Sequence, residues 1–194
     1  MPVKGKGSFG YLKKQALKQG IIALADVAIC ACLFCIGNFW LDKYATVFTV
    51  TAVLGLLPGA KVLVSMFVFM KAEKFSCTKE LYDKLLKALV GQQEKVLCGV
   101  DFYLTSYDKN YPMSALLIRK GSLIAFTPSA QCDPTAAAKH IENYMGKNGI
   151  SGITVKVFTQ EDKFTERFEK LCAEELPVSA NEEELYSLIQ NLSV

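Results

Sequence analysis

Residues 21–41 read IIALADVAICACLFCIGNFWL and residues 46–70 read TVFTVTAVLGLLPGAKVLVSMFVFM. The first run is broken by Asp26 and Asn38, the second by Pro58-Gly59 and Lys61. A hydrocarbon core of about 30 Å takes roughly 20 helical residues to cross, and each run meets that length. A surface helix of a soluble protein keeps a polar face over such a distance, and these runs do not. A cleaved signal peptide has an apolar stretch of only about 7–15 residues. The pair therefore reads as two membrane spans, 21–41 and 46–70, with Pro58 kinking the second. The residues between, Asp42-Lys43-Tyr44-Ala45, allow only a tight turn, so the spans form a helical hairpin.

Charge orients the hairpin. The chain has 194 residues, 51% of them hydrophobic, and a formal net charge of +3. That apolar fraction excludes a disordered chain, and the length allows one domain plus an appendage. Residues 1–20 carry Lys4, Lys6, Lys13, Lys14 and Lys18 with no acid. Residues 71–194 carry fifteen Lys/Arg against seventeen Asp/Glu. The basic balance thus belongs to a segment beside a membrane, and no nucleic-acid surface is expected. Lysines before the first span, with Lys71 and Lys74 after the second, predict both termini in the cytoplasm, with Trp40 and Tyr44 at the far interface. Seven cysteines (Cys30, Cys32, Cys35, Cys77, Cys98, Cys132 and Cys172) are an odd and scattered set. That argues against a secreted disulfide framework and agrees with a reducing compartment, such as the cytoplasmic side of a bacterial plasma membrane.

Asp26 and Lys61 are the intramembrane charges. In a hairpin symmetric about the turn they lie at the same depth, where a lone charge costs about 2.5–3.5 kcal/mol. A charge pair, or snorkelling, is the expected solution. The functional alternative is an ion or proton path, which two spans would build only as part of an oligomeric transporter. Gly55 and Gly59 form a small-xxx-small face suited to close packing on the first span or a second copy.

Beyond residue 76 the periodicity becomes that of a water-soluble fold. Leu81, Leu85 and Leu89 stripe a helix. Val96, Cys98, Val100, Phe102 and Leu104 alternate as a half-buried strand, followed by strands around Ser114–Ile118 and Leu123–Thr127. Asp133-Pro134 opens a helix as N-cap and first residue, with Gly146 or Gly149 near its stop. Ile153, Val155 and Val157 form a fourth strand. Phe164, Phe168, Leu171 and Cys172 stripe a further helix ended by Pro177, and Asn181 with Glu184 opens a last one. The order α-β-β-β-α-β-α-α predicts an α+β domain over 76–194 with a four-stranded mixed sheet and flanking helices.

No motif of catalysis stands out in that domain. Gly5, Gly7 and Gly10 in GKGSFG look like a protein-kinase phosphate loop, but no preceding strand, V-A-I-K, H-R-D or D-F-G accompanies them. Residues 1–20 are instead expected to be a flexible basic segment attracted to anionic lipid. The α-β-β-β-α-β order is similar in topology to restriction-endonuclease-like nucleases over residues 76–158. That resemblance implies Asp101 as a first metal-binding acid and Lys120 as the lysine. Ile118 stands where the second acid belongs, so no metal is expected. His140 and Cys132 could make a nucleophilic pair, since an imidazole lowers a neighbouring thiol's pKa. A histidine on a helix surface is the commoner case. Cys32 and Cys35 have metal or redox spacing but lie within an apolar span. The expected protein is a membrane-anchored, non-enzymatic adapter or scaffold without cofactor. Its partners are the bilayer and a protein, or a second copy through the spans. A membrane-tethered hydrolase using Asp101, Cys132 or His140, or a degenerate nuclease-like domain, is the alternative, and an oligomeric transporter subunit a further one.

Overall fold

The computed structural model describes residues 5–37, 47–90, 96–106, 109–173 and 178–194. The expected turn at 42–45, and with it Trp40 and Tyr44, lies outside the described residues. The chain divides into two compact units. One is residues 12–71; the other joins the segment up to Tyr11 to residues 72–194.

The first unit is a pair of long helices, α1 (Tyr11–Cys35) and α2 (Val47–Glu73). Both are long and apolar enough to cross a membrane, and only 11% of each most apolar stretch is buried. Helix α1 starts ten residues before the apolar run, because Lys13, Lys14 and Lys18 are good helix formers that continue it. Helix α2 runs through Pro58. Its hydroxyls are satisfied locally: Thr51 Oγ1 donates to Val47 O at 2.8 Å and Ser65 Oγ to Lys61 O at 3.0 Å. Large apolar side chains such as Leu24, Val47, Leu57 and Val64 stand more than half exposed. The helices meet on small residues instead. A Cβ on Gly20 would come within 3.3 Å of Met66 Sδ and one on Gly55 within 3.0 Å of Cys30 Sγ, while one on Gly59 would collide with the Asp26 carboxylate. The Gly55/Gly59 face thus packs against the first helix.

The second unit is the α+β domain, in the order α3 (Lys79–Ala88), β1 (Leu97–Thr105), β2 (Asn110–Arg119), β3 (Ser122–Phe126), α4 (Pro134–Lys147), β4 (Thr154–Phe158), α5 (Glu161–Cys172) and α6 (Ala180–Leu192). The sheet order is β1-β2-β3-β4. The first three strands form an antiparallel meander, and β4 joins β3 in parallel after the α4 crossover. Lys120 and Gly121 connect β2 to β3 with φ of 56° and 61°, the two left-handed residues a tight hairpin turn requires.

Helices cover both sheet faces. Ala137, Ile141 and Met145 of α4 and Leu185 and Ile189 of α6 pack with Leu116, Ile118, Leu123, Val155 and Val157. Leu81 and Leu85 of α3 and Phe164, Phe168 and Leu171 of α5 pack with Cys98, Val100, Leu117, Ile124 and Phe126. This double cover corrects the reading of β1 as half-buried: Cys98 to Leu104 are all buried.

Two further expectations are corrected. Helix α6 is capped by Ser179 and Glu182, which form a capping box, two residues upstream of the expected Asn181 and Glu184. Glu182 is buried, and its carboxylate also accepts from Gly121 N at 2.8 Å, tying α6 to the β2–β3 turn. Residues 5–10, expected as a free basic segment, belong to the domain. Gly7 O accepts from Val100 N at 3.0 Å, Lys6 O accepts from Gln190 Nε2 at 3.2 Å, and Lys6 Nζ donates to Ser193 O. Strand β1 offers free backbone groups at the sheet edge, and these glycine-rich residues approach closely enough to use them. The C-terminus covers the rest of that edge, with Tyr103 N donating to Ser193 Oγ at 3.0 Å and Val194 N to Tyr103 O at 3.1 Å.

Candidate functional site

Asp101 sits in the middle of β1 with a φ of +60° and is 2% exposed. A left-handed residue other than glycine costs about 1–2 kcal/mol, although aspartate tolerates it better than most. The conformation redirects the strand. Cys98 and Val100 before it face one core layer, whereas Phe102 and Leu104 after it face the other. Opposite, Tyr111 and Met113 side with Phe102, and Ala115 and Leu117 with Val100, so β2 switches faces at Ser114. Pairing keeps one register on both sides of the switch.

The two residues at the switch grip the chain. One Asp101 carboxylate oxygen accepts from Gly10 N at 2.7 Å, the other from Cys77 N at 2.7 Å. Ser114 Oγ donates to Phe75 O at 2.7 Å. Gly10 immediately precedes α1, and Phe75 and Cys77 follow α2. Both passages between the apolar helices and the domain are therefore fastened at a single buried point. Phe9 adds to it by stacking on Tyr82 of α3, with ring centroids 4.5 Å apart.

Electrostatics at this clasp are those of a dry site. Burial raises the Asp101 carboxyl above its ordinary value, while the backbone bonds from Cys77 and Gly10 pull the other way. Burial, with Asp101 and Glu161 nearby, pushes the Cys77 thiol up to about 12. A thiol held neutral is a poor nucleophile.

The remaining candidates have separate partners. His140 lies on α4 between two aromatic rings, 5.0 Å from Tyr111 and 4.9 Å from Tyr144 by ring centroid. Burial, and then Lys147, lowers its pKa, and its Nε2 is buried without a hydrogen-bond partner. Cys132 is buried at the start of α4, and its thiol is raised by burial against the bond from Thr127. Neither residue is a partner of the other or of Asp101 among the described interactions. In the helical pair Asp26 lies directly against Gly59, with Oδ2 lacking a hydrogen-bond partner, and Lys61, two residues on, is exposed. Among the described residues no group of three or more His, Cys, Asp and Glu could hold a metal ion.

Sequence reasoning singled out Asp101 as an acid in a strand but missed Ser114, Gly10 and the clasp. The one signal was a charged residue inside an otherwise apolar β pattern, an exception that calls for a buried partner. Comparison with protein-family models, curated proteins and solved structures gives no significant match.

Proposed function

We propose that the chain is a membrane-anchored, non-enzymatic adapter. The α1–α2 hairpin sits in the plasma membrane of a bacterium with both termini cytoplasmic, and the α+β domain is presented to a protein partner at the inner surface. The observation that carries this reading is the clasp, with both passages from an apolar, solvent-facing hairpin secured to Asp101. Two connections, one on each side of the apolar helices, tie the ends of the hairpin to residues of the domain's own core. Lys13, Lys14 and Lys18 near the start of α1 and Lys71 near the end of α2, which a hairpin brings to the same side, support the orientation by their charge. The spans also offer a surface for a second copy.

The test is fractionation with sidedness. The protein should stay in membranes through alkaline carbonate and leave only with detergent. A Lys74→Cys variant should react with an impermeant maleimide in inside-out vesicles and not in right-side-out ones. A detergent-independent monomer in plain buffer, or labelling of Lys74→Cys from the outer face, overturns the proposal.

A further inference from the structure

Resting on that reading, the structure also suggests where the partner engages. The sheet has two edges, and they are treated differently. The β1 edge is closed by Gly7 on one stretch and by Ser193 and Val194 on the next. Strand β4 is the other edge, with β3 as its neighbour. Thr154 N donates to Gly121 O at 2.8 Å and Phe158 O accepts from Thr127 N at 2.9 Å, so Thr154, Lys156 and Phe158 turn their backbone toward β3. By strand alternation the N–H and C=O groups of Val155 and Val157 point to the open side. Beside them lies a groove of about 490 Å³, walled by Ala138, Lys139 and Glu142 of α4 and floored by Val155, Lys156 and Val157.

We infer that this edge accepts an extended, acidic segment of a partner protein as a fifth strand. Backbone groups of Val155 and Val157 supply the pairing, the half-buried Ala138 an apolar contact at the rim of the groove, and Lys156, on the opposite face of the strand, the charge selection. Lys156 is exposed, its ammonium rests 5.1 Å from the Phe158 ring centre, and among the described residues no carboxylate lies within ion-pair reach. Charge also decides against a second copy of this chain. The antiparallel register that uses Val155 and Val157 of both copies sets Lys156 across from Lys156, a repulsive pair. An acid at the same place turns that repulsion into attraction.

The experiment uses the full chain in detergent micelles and two fluorescent peptides, acetyl-Glu-Val-Glu-Val-Glu-Val-Glu-amide and its Lys-for-Glu counterpart. The acidic peptide should bind about fivefold or more tighter than the basic one, and Lys156→Glu should reverse that order. Hydrogen exchange at Val155 and Val157 should slow on binding. Equal affinities, an order unchanged by Lys156→Glu, or binding without protection of Val155 and Val157 overturns the inference. None of these readouts depends on membrane insertion, so a chain that fails here yet passes the carbonate and sidedness tests loses the docking edge and keeps the anchor. One that binds the peptide but fractionates as a soluble monomer does the reverse.

Discussion

Asp101 is the residue on which most depends, because it answers two backbone donors and turns β1 over at once. Removing its carboxylate with Asp101→Ala leaves the buried Cys77 N without an acceptor, at about 1–3 kcal/mol, and the half-buried Gly10 N without one at a smaller cost. Asp101→Asn keeps an acceptor and should cost distinctly less, a contrast that thermal melts of the two variants will show. The pH dependence follows from the raised carboxyl. An acid whose pKa is higher folded than unfolded contributes stability that is fully present below the unfolded value and lost as pH rises through the folded one. Stability linked to Asp101 should therefore fall as pH climbs above its ordinary 3.8, and Asp101→Asn should flatten that part of the profile in denaturant titrations. Glu182 is the second such residue: Glu182→Ala frees Gly121 N and Ser179 N together and should lower the denaturation midpoint clearly.

Among the elements, β1 shows how closely its backbone is approached. A Cβ on Gly99 would stand 2.7 Å from the Phe102 ring and 2.9 Å from Tyr186 Oη. Gly99→Ala should then lower the melting temperature by several degrees, about 1–3 kcal/mol of overpacking, while a substitution at exposed Gly146 should not. The helices were legible beforehand, since Leu81 and Leu85, or Phe164 and Phe168, recur at helical spacing and are buried where that spacing places them. The α4 start was legible too, because Asp133 caps it and Pro134 begins it. Strand β1 was misread for a physical reason. Alternation reports which side chains are apolar, and with helices on both faces residues pointing either way are buried, Asp101 included. The face switch needs a left-handed φ, and an aspartate in the sequence does not announce one. The clasp was illegible because its members, Gly10, Phe75, Cys77, Asp101 and Ser114, are brought together by tertiary structure and through backbone atoms.

For the chain taken together, the cysteines offer a check on the two-unit division. Burial raises the thiols of Cys77 and Cys98 to about 12 and that of Cys172 to about 11. In the native protein these three should resist a water-soluble maleimide at neutral pH and react fully after denaturation, as read by mass spectrometry. Cys32 and Cys35 are exposed on α1, so a reagent that partitions into lipid should reach them while an aqueous one should not. Labelling of Cys32 and Cys35 by the aqueous reagent in intact vesicles would contradict a membrane-embedded hairpin.

The clasp also says which part of this molecule is the guest. Because residues on either side of the hairpin meet at one carboxylate, the hairpin is an insertion within one compact α+β unit rather than an extension ahead of it. Splicing Gly10 to Phe75 through a few glycines and serines, which keeps every clasp residue, should give a water-soluble, folded protein. Starting the chain at Ser76 would discard the strap across β1 and expose that margin to aggregation. Two truncations that remove nearly the same greasy residues would then differ in whether anything usable remains.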